Sequence, residues 1–249
     1  MGVPHYADGV TVPHEHDHLP PHHHRDIGGG GARAAVFGVS DGLVTNVSLV
    51  LGMAGANPGG SIVRLAGIAG LVAGSFSMAA GEYLSMTAQR ELMERELEVE
   101  RRALERHPKG EEAELRGMYV RRGIDPGVAE EMANQVMQDP DLALETHARE
   151  EMGISMERLG SPWQAAAASF ITFAIGAFIP LLPWLIGSGT AAIVASIVLG
   201  ALASLVVGAV LARFTERSVV ASALRQLAVT VVAAGVTFGV GKAIGSGVS

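Results

Sequence analysis

Two apolar segments joined by a short Asn-Pro-Gly-Gly turn occupy residues 40–85. Each is long enough to cross a bilayer as a helix, which needs about 20 apolar residues. Each carries one carboxylate inside its apolar run, Asp41 in the first and Glu82 in the second. Because inserting such an acid costs roughly 2.5–3.5 kcal/mol, an acid in this position indicates a function by default. The stretch therefore predicts a transmembrane hairpin with two functional acids.

The charges of the chain are concentrated in one block, residues 88–161, which interrupts a series of apolar segments. Only 17% of all residues are charged, against about 25% in a soluble domain. Three more apolar segments follow, at about residues 163–186, 190–212 and 222–244. We predict an all-α membrane protein in which five transmembrane helices carry a three- to four-helix insert between the second and third spans. The predicted divisions are a tail at 1–32, spans one and two at 33–87, the insert at 88–161, and spans three to five at 162–249.

The first span, about residues 34–56, carries a polar stripe. Asp41, Thr45 and Ser48 are offset by four and seven residues, so they share one helix face. Gly38 and Gly42 lie beside this face and are expected to let another helix approach closely.

The second span, about residues 62–86, has a face on which two glycines precede a thioether and a carboxylate. Four residues at a spacing of four define it: Gly70, Gly74, Met78 and Glu82. Ser75 lies close to the same face. A lone methionine more often serves ordinary packing, but Glu82 one turn away weakens that interpretation for Met78. The glycines are expected to open space beside both side chains.

The second span has no helix stop after Met86, since no glycine or proline occurs before Pro108. It should therefore continue into water as one helix of about 45 residues, or ~65–70 Å. Asp125-Pro126 and Asp139-Pro140 are strong start signals for two further helices. A short amphipathic helix is expected between Pro108 and Gly123. Together these elements make the insert a small helical subdomain on one side of the membrane.

The acids of the insert occur at spacings that suit metal ligands. Three pairs face one way on a helix: Glu91 with Glu94, Glu96 with Glu100, and Glu111 with Glu114. Carboxylates that converge from several helices would repel one another without a cation. Acids interleaved with arginine, however, more often form solvated surface pairs, so both interpretations remain open on spacing alone. No Glu-x-x-His pair occurs in this block, which argues against a di-iron oxidase, the oxidoreductase alternative.

The composition limits which metals and which partners are expected. There is no cysteine, so a metal must be held by carboxylate, imidazole, thioether or backbone oxygen, a set that favours Fe(II), Mn(II), Mg or Ca. The formal net charge of −7 gives no reason to expect nucleic-acid binding. Seven of the nine histidines lie in residues 1–30, a segment without hydrophobic period that we predict to be disordered. It is either a loose metal-gathering tail or a neutral extension.

The topology follows from the odd number of spans, which places the termini on opposite sides. The insert and a loop with Arg213, Arg217 and Arg225 fall on one side, which the positive-inside rule makes cytoplasmic. Trp163 and Trp184, about 31 Å apart along a helix, are expected at the two membrane interfaces. Two prolines of this span, at 180 and 183, are expected to kink or end it. The plain N-terminus and compact loops favour a bacterial cell membrane over a vacuolar one.

Two motifs in this layout resemble the vacuolar iron transporter family. They are SDGLVTN in the first span and AGSFSMAAGEYLS in the second, followed by the Glu-rich insert that ends in REEMGIS and by three more spans. The resemblance extends from Ala34 to the C-terminus. It implies a homodimeric carrier that exchanges Fe(II), and often Mn(II), for protons along a path near the dimer axis. It also implies a metal-binding domain formed by the cytoplasmic helices.

The resemblance assigns residues only where the motifs match. Asp41 and Met78 match the acid and the thioether of the membrane path, and four insert residues match the cytoplasmic metal site: Glu100, Glu111, Glu114 and Glu151. The chain also departs from the family pattern. Ala103 stands where the family has a glutamate of the insert, and Glu105 could replace it only with a shift of register. Gly70 stands where the family has a glutamate of the second span, and Glu82 would supply that charge. A methionine pair of the insert becomes His147 and Ala148, and imidazole is the better ligand for Fe(II) or Mn(II).

The sequence therefore predicts a transporter, not an enzyme, that moves Fe(II) or Mn(II) out of the cytoplasm in exchange for protons. The ions are both bound and transported, and no organic cofactor is expected. The predicted path comprises Asp41, Thr45, Ser48, Ser75, Met78 and Glu82, and the predicted cytoplasmic ligands are Glu100, Glu111, Glu114, His147 and Glu151. The expected partners are the lipid bilayer and a second copy of the chain. The alternative is a membrane-anchored metal-binding or sensing protein without transport.

Overall fold

The computed structural model describes residues 30–57, 59–153 and 160–247, and the secondary structure in this part of the chain is helical throughout. The eight helices are α1 (Gly30–Gly55), α2 (Gly60–Arg106), α3 (Pro108–Arg121), α4 (Pro126–Val136), α5 (Pro140–Glu151), α6 (Pro162–Ile186), α7 (Gly189–Thr215) and α8 (Val219–Gly247). The predicted histidine-rich tail lies outside the described residues, apart from its last three positions.

Five of these helices are long and apolar enough to cross a membrane: α1, α2, α6, α7 and α8. This confirms the predicted fold class. Helix α2 has 47 residues, about 70 Å at 1.5 Å per residue, so the second span and the first insert helix are one continuous rod, as predicted. The turn before α2 contains Gly59 at φ 94°, a left-handed conformation that glycine adopts without steric cost.

Helix α1 is the centre of the membrane part, because it packs against all four other spans. Its buried side chains include Leu43, Val47 and Val50. A Cβ atom added at Gly42 would overlap the carbonyl of Phe173 on α6, so only glycine permits this separation of the two helices. The close helix approach predicted for the first span is therefore present, and α6 is the neighbour.

Two features of α6 bear on the expectations for this span. The helix does not end at either proline but continues through both to Ile186, and Ser196 of α7 donates a hydrogen bond to the Pro180 carbonyl at 2.8 Å. Trp184 is 2% exposed and packs with Val50, Val63 and Leu181, so its ring faces neighbouring spans rather than lipid. A buried aromatic ring of this size contributes strongly to packing between the spans. Trp163, in contrast, is 73% exposed.

The insert consists of the aqueous half of α2 with α3, α4 and α5. Asp125 and Asp139 cap α4 and α5 by accepting hydrogen bonds from backbone N–H groups of the first turn, as their sequence signals predict. Leu97 of α2 packs with Leu144 and Ala148 of α5, so α5 is attached directly to the aqueous half of α2. A second apolar cluster, which includes Leu115, joins α3 to α4.

Candidate metal centre

Three insert helices each bring one metal-ligating side chain to the same point. Glu100 of α2, Glu111 of α3 and His147 of α5 each offer one ligand atom, and these atoms all lie within 4.8 Å of one another. Glu100 lies three residues after Leu97, and His147 lies three residues after Leu144, so both follow the apolar contact between α2 and α5. Packing of that contact carries both polar side chains into the interior.

His147 is fully buried, and its surroundings determine its tautomer. Nε2 lies 3.4 Å from the backbone carbonyl oxygen of Glu111. A carbonyl only accepts, so in the neutral ring Nε2 carries the proton and Nδ1 keeps a free lone pair. Nδ1 lies 3.9 Å from Oε1 of Glu100, and neither atom has a hydrogen-bond partner among the described residues. Their separation is close to twice a metal–ligand bond of about 2.0–2.2 Å, so a cation between them fits.

The charge environment of Glu100 also suits a cation. Burial, and after it the neighbouring charges of Glu151, Glu111 and Glu114, together raise the pKa of Glu100 from its usual 4.5 to about 7. Each of these effects disfavours the carboxylate when no positive charge is near. A bound divalent cation would reverse this balance, since it supplies the largest local charge.

Two of the predicted cytoplasmic ligands lie beside this cluster rather than in it. Glu114 and Glu151 are exposed, and both line a pocket of about 280 Å³ that Met118 also lines. At the same pocket Arg122, which follows α3, forms an ion pair with Glu150 of α5. The five predicted residues therefore divide into two sets: a cluster of three, in which Glu100 and His147 are buried and Glu111 is partly buried, and two exposed acids that act on Glu100 through their charge.

The remaining acids of the rod behave as surface residues. Glu94 pairs with Arg90 at 2.7 Å, and Glu98 pairs with Arg102 at 2.9 Å. Glu91 and Glu105 are exposed, and neither belongs to the cluster, so Glu105 does not take the position left by Ala103. For these acids the solvated-pair interpretation is the one that the structure supports.

The predicted polar stripe of α1 is split in two. Asp41 and Thr45 are both exposed, and the Thr45 hydroxyl lies 3.3 Å from Oδ1 of Asp41, to which it donates. Ser48 is buried, and its hydroxyl has no hydrogen-bond partner in the described part of the chain. Asp41 and Thr45 therefore share an outer surface of the chain, whereas Ser48 faces its interior.

The predicted face of α2 lies at a helix contact. Ser75 is buried and donates to the Leu71 carbonyl of its own helix at 2.7 Å, while Met78 and Glu82 are partly buried. The expectation that two glycines open space beside them is wrong. A Cβ atom at Gly70 would meet Leu49 and Asn46, and one at Gly74 would meet the ring of Phe173. Neighbouring side chains of α1 and α6 fill both positions, because close packing recovers more dispersion energy than a void does.

The sequence reasoning did not assign Asn46 of α1. It is 0% exposed, and its Nδ2 donates to the Ala177 carbonyl of α6 at 2.6 Å. Its Oδ1 has no hydrogen-bond partner among the described residues, which costs about 1–3 kcal/mol for a buried acceptor. The signal was present, since an asparagine inside an apolar span is costly and marks a functional position.

Known proteins are similar to most of this chain over most of their own length. A family model described as the VIT family matches residues 32–242. Vacuolar iron transporter 1 of Eucalyptus grandis is 33% identical over 86% of each chain. A vacuolar iron transporter of Acanthamoeba castellanii is 37% identical over 85% of this chain and 78% of its own, and vacuolar iron transporter 1 of Arabidopsis thaliana is 32% identical over 85% of each.

These relatives bear on two predictions. They are named as transporters, which confirms the prediction of a transporter rather than an enzyme. They are eukaryotic proteins named for the vacuole, so they give no support to the expected bacterial membrane. With five spans and a family match over most of its length, this multi-pass membrane protein belongs to the VIT family.

Proposed function

We propose that this chain, a metal-ion transporter by its family, moves Fe(II), and less readily Mn(II), out of the cytoplasm in exchange for protons. One observation carries the proposal. Glu100, Glu111 and His147 converge with two unpartnered ligand atoms facing each other, and Glu100 belongs to the same continuous helix that crosses the membrane. The names of the relatives support iron as the transported ion.

The chemistry of the ligands supports the choice of metal. Two carboxylates and one imidazole, with no thiolate in the chain, suit Fe(II) and Mn(II) better than Cu(I). Affinity at such sites rises from Mn(II) to Fe(II), and imidazole favours the later metals. His147, which stands where the resemblance implies a thioether, therefore biases the cytoplasmic site toward Fe(II).

The proposed path runs from the insert into the membrane. Exposed Glu114 and Glu151 raise the local concentration of cations, and the cluster of Glu100, Glu111 and His147 binds one. Glu82 lies 18 residues before Glu100 on the same rod, about 27 Å along it. From the cluster the ion passes to Glu82 and Met78 and then to Asp41. The hydroxyls of Thr45, Ser48 and Ser75 serve as neutral oxygens along the way.

Proton exchange follows from competition for the same oxygens. A carboxylate must lose its proton before it binds a metal, so binding releases protons and protonation releases the metal. With Asp41 and Glu82 as the exchanging acids, a cation that leaves on the far side is replaced by a proton. The proton then returns toward the cytoplasm.

Orientation and assembly complete the proposal. The insert lies on the cytoplasmic side, together with the arginines of the α7–α8 loop. The protein acts as a homodimer whose second copy covers the exposed face of α1 that carries Asp41. Support comes from the cost of leaving a carboxylate against lipid. The adjoining helix α2 also leaves large apolar side chains uncovered, among them Leu65, Val72 and Phe76.

Flux through proteoliposomes tests this function. The purified protein is reconstituted, and uptake of Fe(II), Mn(II), Co(II) and Zn(II) is recorded with and without a proton gradient. We expect gradient-dependent Fe(II) uptake that Asp41→Ala abolishes, while Glu94→Gln, at an exposed acid of the same rod, leaves it unchanged. Fe(II) binding without any flux would instead support the metal-sensing alternative. Wild-type uptake by Asp41→Ala would refute the proposed path.

A further inference from the structure

We propose that Asn46 forms an additional cation position in the membrane, where its amide oxygen contacts a divalent ion between α1 and α2. The inference rests on the proposed function, because a transported cation is the ligand that would reach this oxygen. It adds a residue on the far side of Asp41, the last residue of the SDGLVTN motif, to which neither the helix spacing nor the resemblance assigned a role.

The orientation of the Asn46 amide is fixed by its neighbour on α6. Nδ2 lies 2.6 Å from the Ala177 carbonyl, and only the NH₂ group of an amide donates a hydrogen bond to a carbonyl. The oxygen must therefore point away from α6. It is directed at α2, where a Cβ atom on Gly70 would lie 3.1 Å from it. Asn46 is fully buried, and Oδ1 finds no donor among the described residues.

The register of α1 and α2 places Asn46 beyond the acids. Asn46 faces Gly70, and Val50 faces Gly67, so the two antiparallel helices bring Asp41 level with about residue 75. Counted from the insert, the order of depth is Glu82, Met78, Asp41 and then Asn46. The step from Asp41 to Asn46 is five residues, or about 7.5 Å along the helix.

Beyond Asp41 the hairpin offers few other ligands. Helix α2 has no polar side chain from Leu65 to Gly74, and α1 has only Ser48 between Asn46 and its C-terminal end. An ion leaving Asp41 for the far side first passes the Thr45 hydroxyl, which contacts Asp41, and the next oxygen along the hairpin is that of Asn46. A neutral amide oxygen is a hard ligand that suits Fe(II), Mn(II) or Mg(II). It holds a cation less tightly than a carboxylate does, which favours onward movement.

The contact between Asn46 and Gly70 is closed in the described conformation, since Oδ1 has no accessible surface. A cation reaches this oxygen only when α1 and α2 move apart. Gly70 contributes no side chain to the contact, and the side chains nearest to it there are those of Asn46 and Leu49.

Two nearly isosteric variants test the inference in the full-length protein. In proteoliposomes, Asn46→Leu should lower Fe(II) uptake about tenfold or more, the usual cost of losing a metal-site partner. Binding of Fe(II) to the insert and the thermal stability of the detergent-solubilised protein should not fall. Asn46→Asp should keep transport but change the ratio of Fe(II) to Mn(II) uptake and its pH profile. The control is Ser204→Ala, which removes a buried hydroxyl between α7 and α8 and should change none of these.

Each outcome has one meaning. Wild-type uptake per folded molecule by Asn46→Leu overturns the inference. So does an Asn46→Asp variant that loses stability and flux together while its metal ratio stays unchanged, because a purely structural role predicts that pattern. If Asn46→Leu does not fold, the metal ratio and pH profile of Asn46→Asp still decide. Absence of flux from the wild-type protein would overturn the proposed function and this inference together, whereas the first two results overturn the inference alone.

Discussion

Acidification should release metal from the insert through Glu100. Its pKa lies at about 7 before metal binds, so about 90% of the carboxylate is ionised at pH 8 and about 10% at pH 6. Only the ionised form binds a cation. Affinity for a divalent ion should therefore fall about tenfold from pH 8 to pH 6 through this residue alone. Because the pKa of Glu100 is raised into this range, its ionised carboxylate, which is the form that binds the cation, is lost as the pH falls from 8 to 6.

Mn(II) is a suitable probe, since it resists oxidation and the free ion gives a sharp electron paramagnetic resonance signal. Titrations of the full-length protein in detergent at pH 6, 7 and 8 would measure its affinity. Glu100→Gln should bind more weakly at pH 8 and show a flatter pH dependence. Glu94→Gln, exposed and paired with Arg90 on the same helix, should keep the wild-type profile. If Glu100→Gln retained the full dependence, protons would compete with the metal at another group and the reasoning from burial would be refuted.

Three further predictions follow from the same structure. Without metal, the raised pKa of Glu100 should lower folding stability as the pH rises from about 5 to 8, by at most about 3 kcal/mol. In thermal melts the melting temperature of the wild type should fall over this pH range, and that of Glu100→Gln should fall much less. His147→Ala should weaken Fe(II) binding about 10–100-fold and Mn(II) binding less, because imidazole favours Fe(II); competition titrations would detect the difference, and equal losses would contradict it. Gly42→Ala should destabilise the detergent-solubilised protein by about 1–3 kcal/mol, because the added methyl would overlap the Phe173 carbonyl. Gly81→Ala should not lower the melting temperature, because a Cβ atom at Gly81 meets nothing within 4 Å.

The sequence predicted the elements better than their contacts. The rod of α2 was foreseen because an unbroken run of helix formers needs no tertiary information. The burial of Trp184 was not, because an apolar helix has the same composition whether a given side faces lipid or protein. The spacing of Gly70 and Gly74 indicated a close approach but not the side chains that fill it.

The candidate site shows the same limit. Spacing identified acid pairs within single helices, such as Glu96 with Glu100 and Glu111 with Glu114. The structure instead takes one member of each of these pairs and adds His147 from a third helix. Such convergence depends on how α2, α3 and α5 pack, and local periodicity does not encode it. Asn46 is visible in the sequence as an asparagine inside an apolar span, but its unpartnered oxygen depends on how α1 packs against α6 and α2.

The continuity of α2 makes it a lever. Glu100 lies about 27 Å beyond Glu82 on an unbroken helix, so a tilt of about 10° around Glu82 would displace Glu100 by about 5 Å. That is as large as the 4.8 Å limit within which the three ligand atoms of the cluster now lie. Helix α5 would follow the rod through its contact with Leu97. A small rearrangement between the spans is therefore amplified at the insert. Opening of the membrane helices would change the spacing of the ligand atoms, and with it the affinity of the cluster for metal.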